Sequence, residues 1–286
     1  MKIKYTNIAV LVTGVVAAFN LFGCAKQPAV NSQLMESKVL EESALLVDSE
    51  LSPKCELKFD FSYLGEREEN DSVVQRINHT SQAISLGREY ALLTPMAALD
   101  SFKNVYISNY RRDVLPYYKE EVRKGENLDE IPSWYNYTYE LTTTFSDGMP
   151  GVLNYTSLNY VYQGGAHPNQ WESWRNFNAR NGKLITLADI VEADNKEPIL
   201  NLIKAELVKE LAKRTENDKL LTFQDLVNEG VVLEPKLFIP ENFLLEDEQV
   251  SFLYNRYDIT PYVMGDIRIS IPYSAIKKYL TLDKIQ

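Results

Sequence analysis

The chain has 286 residues, 45% of them hydrophobic, with 30 Lys and Arg against 40 Asp and Glu and a formal net charge of −10. An acidic balance of this size disfavours nucleic acid and anionic lipid surfaces as partners and favours a basic protein. Two cysteines, Cys24 and Cys55, and two histidines, His79 and His167, leave few ligands for a metal site.

At the N-terminus, Lys2 and Lys4 precede an apolar stretch from Ile8 to Phe22 that ends at Gly23-Cys24. A basic start, a short apolar run and a small residue before the break make a signal peptide rather than a membrane span. The ending Leu21-Phe22-Gly23-Cys24 resembles a bacterial lipobox, although Phe22 is bulkier than that pattern prefers. The resemblance implies that Cys24 is the lipid attachment point and the first mature residue. The protein is then exported and held on the membrane by acyl chains, each buried CH₂ contributing roughly 0.8 kcal/mol. The outer membrane, with the protein facing the periplasm or the surface, is the expected location. Loss of residues 1–23 removes two lysines and no acid, leaving 28 basic against 40 acidic residues and a charge of −12. With Cys24 acylated, Cys55 has no disulfide partner.

Residues 24–52 are polar apart from Ala44-Leu45-Leu46-Val47 and are expected to be a flexible tether. Apolar and charged residues alternate from Cys55 to Tyr63, which predicts a strand with Cys55 packed into a sheet. Helical spacing follows in Val73, Val74, Ile77 and Ile84, with Asn70-Asp71-Ser72 as the cap. A second helix starts at Thr94-Pro95 and carries Leu99, Phe102, Tyr106 and Tyr110 on one stripe, with Pro116 and Gly125 bracketing its end. Residues 134–145 and 152–162 alternate with period two around Asp147-Gly148-Met149-Pro150-Gly151, predicting an antiparallel pair. Tyr135, Tyr137 and Tyr139 are expected to fill the core of that sheet. A third strand is expected at 171–178, ended by Asn181-Gly182. Ile199, Ile203, Leu207 and Leu211 then mark an amphipathic helix, and strands at 249–255 and 266–272 precede a short helix over 273–280.

Irregular alternation of strands and helices predicts an α+β fold, an antiparallel sheet with helices packed to one side and two subdomains sharing a core. The expected division is an N-terminal subdomain over 53–148 and a C-terminal domain over 149–286.

Two segments stand apart. Tyr162-Gln163-Gly164-Gly165-Ala166-His167-Pro168 closes a strand with a glycine pair and a histidine, and Tyr257 to Gly265 places Pro261-Tyr262 between two strands. Gly164, Gly165 and Gly265 are expected at turns that need an unusual backbone. His167 is expected to be a structural imidazole, buried and hydrogen-bonded around the glycine turn, because no second ligand or orienting carboxylate stands at motif spacing. Phosphate loops, nucleophile elbows and calcium loops are absent from the sequence. No metal or cofactor is expected. Trp171 and Tyr262 border turns, where aromatic rings serve ligands as readily as they fill a core.

These two segments, with Gly182-Lys183 before Thr186-Leu187-Ala188-Asp189 and with Asn242-Phe243, resemble the extracytoplasmic RsiV-like family over roughly residues 155–282. Pro168 departs from the glycine commoner there. The resemblance implies a binding module that recognises a lysozyme-type muramidase or peptidoglycan, with Tyr162, Trp171, Tyr257, Pro261 and Tyr262 as ligand-binding candidates. Neither a sigma-binding segment nor a deacetylase module is present, so sensing across a membrane is not implied. The expectation leans away from an enzyme. The alternative is an envelope glycan hydrolase using a carboxylate pair that the sequence does not single out.

Overall fold

A computed structural model describes residues 29–49, 51–125, 132–283 and 285. Strand β1 (Met35–Leu45) pairs antiparallel with β2 (Lys54–Leu64). Helices α1 (Ser72–Ser85) and α2 (Pro95–Lys124) then cross over, and β3 (Tyr137–Asp147) returns parallel to β2. Parallel neighbours need such a crossover, which no hairpin could supply. Antiparallel β4 (Val152–Tyr162), β5 (Asn169–Asn178) and β6 (Leu184–Ile185) complete a six-stranded sheet in chain order. After α3 (Leu187–Ile190), α4 (Lys196–Thr215) and α5 (Phe223–Asn228), a three-stranded antiparallel sheet forms from β7 (Phe243–Leu245), β8 (Gln249–Tyr254) and β9 (Ile267–Pro272). A single turn of helix, α6 (Tyr273–Ile276), follows. The class is α+β, as the sequence predicts.

Alternation decides which face each helix covers. In β2, Cys55, Leu57, Phe59 and Phe61 are buried while Lys54, Glu56, Lys58 and Asp60 are exposed. The buried row meets Leu99, Tyr110 and Val114 of α2, and Phe102 and Tyr106 each place a ring 5.0 Å from that of Tyr139. Burial pushes the Cys55 thiol up to about 12, with Glu56 adding to the shift, so it packs as a small apolar group. On the same face, α1 lays Val74 and Ile77 on Phe145, Leu153, Tyr155 and Phe177. Asp71 caps α1 by accepting from the Val73 and Val74 amides at 3.1 and 3.3 Å. The second sheet carries its own helix: Ile199, Ile203, Leu207 and Leu211 of α4 are fully buried in one cluster with Phe243, Val250, Phe252 and Ile269.

The two sheets meet on the other face of β5. Trp174 packs with Leu244 and Leu253. Beside it the fully buried Asn176 donates to Phe243 O at 2.9 Å and accepts from the Leu245 amide at 2.8 Å. A side-chain amide thus serves the free edge of β7 as a strand would.

Three expectations are corrected. Residues 35–45 are strand β1 rather than tether, and already at Val30 the buried chain donates to Ala179 O at 2.8 Å. Only Ala44 is buried within β1, so backbone pairing with β2 holds the strand and leaves no apolar alternation to read. Pro116 does not end α2. The helix passes through it to Lys124 and stops at Gly125, whose φ of 77° is the left-handed cap. The boundary near residue 148 falls at the β3–β4 turn, inside one continuous sheet, where the Met149 amide also donates to Leu245 O of the second sheet at 3.0 Å.

Asn176→Ala would strand two buried backbone groups at the sheet junction. We expect a loss of roughly 2–4 kcal/mol, read as a lower urea midpoint with an unchanged slope.

Candidate functional site

The β4–β5 connection and the β8–β9 connection lie together. The His167 ring stacks on Tyr262 with centroids 4.6 Å apart and an interplanar angle of 29°, and the Tyr257 ring stands 5.6 Å from Tyr262. Behind them the Arg256 guanidinium carbon lies 5.0 Å from the Tyr262 ring centroid, and Arg256 Nη1 donates to the Tyr262 hydroxyl at 3.2 Å. Electrostatic attraction between guanidinium and ring face fixes the ring plane. Tyr257 is 59% exposed and Val263 87%, so the cluster opens to solvent.

Backbone chemistry explains how the rings are presented. Tyr257 has a φ of 68°, the left-handed region that costs a non-glycine residue on the order of 1 kcal/mol. The turn is held from both sides. Asp258 Oδ2 accepts from the Asn255 amide at 2.7 Å, while the Asp258 amide donates to Asn255 O at 3.0 Å. Asp266 Oδ1 accepts from the Arg256 amide at 3.1 Å, and Asp266 Oδ2 from Gln170 of β5 at 3.3 Å. From the last turn of α4, Arg214 donates to Met264 O and Asp266 O at 2.7 and 2.9 Å. Burial raises the Asp258 carboxyl above its ordinary value, opposed by the Asn255 amide and reinforced by Asp266. Each acid accepts from a main-chain amide of the loop, and Asp266 also from the Gln170 side chain, which suits a rigid display more than proton transfer.

The loop bearing the glycine pair is likewise anchored. The Tyr162 hydroxyl donates to Gly165 O at 3.2 Å, and Gln163 Nε2 donates to the Tyr106 hydroxyl of α2 at 3.1 Å. Gly164, at φ 77°, brings its backbone so close to Trp134 that an added Cβ would lie 2.7 Å from Trp134 O. Gly265, at φ 68°, closes the turn begun at Pro261, and its amide donates to Tyr262 O at 3.0 Å.

Of the predicted residues, the structure brings His167, Tyr257 and Tyr262 together, with Pro261 leading into the turn that carries Tyr262. Trp171 is not in this group. It pairs with Asn159, whose side chain accepts from Tyr139, and so stands on the helix-covered face. The expectation of a buried His167 is corrected: the ring is exposed, and Nδ1 lies 2.9 Å from Pro168 O rather than bonding the glycine turn. Arg256, Asp258, Asp266 and Arg214 were not singled out by sequence. They belong to no spacing motif, and only the Tyr257 to Gly265 segment hinted that its neighbours matter.

The junction beside the site is built from asparagines. Asn242 Oδ1 accepts from the Trp174 amide at 3.1 Å and from Arg175 Nη1 at 2.7 Å. Asn255 Oδ1 accepts from the Glu172 amide at 2.8 Å, and Asn255 Nδ2 donates to Glu172 O at 3.0 Å. The Glu172 carboxylate accepts from the Trp174 indole at 2.9 Å and is paired with Arg268 of β9.

Residues 188–274 match the family model for DUF3298, described as a protein of unknown function. A solved structure of a DUF3298 family member from Bacteroides fragilis NCTC 9343 superposes with a TM-score of 0.75 and 28% identity, covering 86% of this chain and 93% of that one. A DUF3298 family protein from Pseudomonas aeruginosa PAO1 superposes with a TM-score of 0.53 and 16% identity, covering 90% and 96%, which speaks to the fold alone. No curated protein matches. The DUF3298 segment contains Asn242 and the whole Tyr257 to Gly265 loop. The glycine pair and His167 precede it and reach it through space.

Because its ring is exposed, His167→Ala is expected to lower stability by about 1 kcal/mol or less. Gly164→Ala, with positive φ and Trp134 in the way, is expected to cost roughly 1–3 kcal/mol. Paired thermal melts check the order. A larger loss for His167→Ala would place the imidazole in the core.

Proposed function

We propose that this chain is a binding protein of the bacterial envelope, RsiV-like in kind, whose ligand is a basic muramidase of the lysozyme type docking on the His167, Tyr257 and Tyr262 rings. The observation that carries the reading is Tyr257, held at a left-handed φ of 68° with its ring 59% exposed. Backbone strain at a position with no core to serve is retained where it presents a side chain. Rigid aromatic rings backed by arginine are the residue types that dominate protein interfaces, and their few rotatable bonds limit the entropy lost on binding. The formal charge of −10 draws a basic partner toward the surface. Stacking on sugar faces by the same rings supports peptidoglycan as the second reading.

Anchoring rests on the N-terminal residues, which lie outside the described ones, Cys24 among them. Among the described residues no helix is long and apolar enough to cross a membrane. Cys24→Ala is expected to abolish incorporation of radiolabelled fatty acid and to leave the unprocessed precursor. Equal labelling of the variant would remove the anchor from the reading.

Binding is checked by calorimetry and stopped flow with a basic muramidase. Tyr257→Ala is expected to weaken the complex by about 2 kcal/mol while leaving the melting temperature unchanged. Added salt is expected to slow association more than it speeds dissociation. Absence of heat at low salt together with binding of peptidoglycan fragments would shift the reading to the glycan. Absence of both would end it.

A further inference from the structure

We propose that the cavity between the C-terminal half of α2 and the Trp134–Tyr137 segment is a binding site for an alkylammonium group. This site is separate from the ring cluster of His167 and Tyr262 and does not depend on that reading. Along α2, Asp113, Val114, Tyr117, Glu120, Glu121 and Lys124 recur at three- and four-residue steps, so they share one helix face. Trp134, Tyr135 and Tyr137 form the opposite wall, and about 370 Å³ lies between. Val114 and Tyr135 are buried and make the floor, whereas Tyr117 is 71% and Trp134 55% exposed. Two large rings left this open beside a floor of buried side chains form a receptacle that no side chain among the described residues fills.

Charge selects the occupant. Asp113 already accepts from Arg112 Nε at 2.7 Å, and Glu120 from Arg123 Nη2 at 2.9 Å, with Lys124 Nζ at 3.5 Å. Glu121 is half-buried on the cavity face, and its carboxylate has no hydrogen bond or ion pair among the described residues. Its charge is therefore uncompensated where the rings converge. A cation over an aromatic face is attracted by the ring quadrupole, and more strongly when partly desolvated. An anion would be repelled by Glu121. A neutral apolar ligand would satisfy the rings but not the carboxylate. An alkylated ammonium, whether a quaternary headgroup or the end of a lysine side chain, satisfies both.

The test titrates the full chain at constant ionic strength with tetramethylammonium chloride and, separately, n-butylammonium chloride, following tryptophan emission. The signal is assigned to the site by its loss in Trp134→Phe. Saturable binding of at least one cation is expected. Stronger binding of tetramethylammonium identifies the headgroup as the source, and stronger binding of butylammonium the lysine side chain. Tyr117→Ala is expected to weaken binding at least about tenfold and Glu121→Gln several-fold. Both positions are open enough that circular dichroism melts should not move, and a Tyr117→Phe variant keeps the ring face and should bind as wild type. tert-Butanol, a neutral shape analogue, is expected not to bind. No saturable response to either cation, equal affinity for tert-butanol, or wild-type affinity in both Tyr117→Ala and Glu121→Gln would overturn the proposal.

Discussion

The junction between the two sheets is the constraint on which the rest of the molecule depends, and three asparagines make it. A sheet edge facing another sheet leaves backbone donors and acceptors that water cannot reach, and each one unpaired costs about as much as a lost hydrogen bond. Asn176, Asn242 and Asn255 offer an amide with the donor and acceptor pattern of a peptide group, and between them they satisfy main-chain atoms at residues 172, 174, 243 and 245. Hydrophobic contact also joins the sheets, through Trp174, Leu244 and Leu253 and through Met149, Val152 and Ile185 in the core of the second sheet. Apolar packing tolerates sliding and the directional asparagine bonds do not, so polar pairing sets the register of one sheet on the other. Gly148 fits the same logic, since a side chain there would collide with Leu245 O.

That fixed register is what lets two loops distant in sequence share a surface. Asn255 both locks β8 to Glu172 and opens the turn that forces Tyr257 into a left-handed backbone. Asp266, at the other end of the loop, reaches Gln170 on β5. A displacement of the second sheet would thus be felt by the rings directly. The strain at Tyr257 is offset by bonds whose other ends lie in the sheets and in α4, through Arg214.

How much of this the sequence could tell follows from range. The stripes of α2 and α4 and the alternation of β2 were legible because burial on one face writes a period into neighbouring residues. β1 was not, because neither of its faces is covered for most of its length, and the tether expected there is an edge strand. β7, three residues long, is too short to show a period, and the parallel step from β2 to β3 is a property of the crossover and not of either strand. At the site, Tyr257, Pro261 and Tyr262 were legible through an unusual string, and Gly164 through its need for positive φ. The exposure of His167 was not, since a ring beside a glycine pair reads the same buried or stacked in solvent. Nor was the cavity by α2 visible: Tyr135 and Tyr137 read as core, and only the helix opposite them turns their outer edges into a wall.

The two aromatic surfaces are mechanically joined at Gly164. Its backbone passes so close to Trp134 that nothing larger than hydrogen fits, and Gln163 beside it bonds Tyr106 of α2. The loop that carries His167 to Tyr262 is therefore also the loop that supports the residue forming one wall of the α2 cavity. A shift of the Trp134 backbone would press on the glycine turn, and through it on the loop whose imidazole stacks 4.6 Å from Tyr262. Coupling of this kind requires no route through the core, because contact at a position with no side chain transmits displacement between rigid backbones. The glycine pair thus turns the chain out of β4 at positive φ, and Gly164 within it lets two aromatic surfaces built on different elements lie against each other.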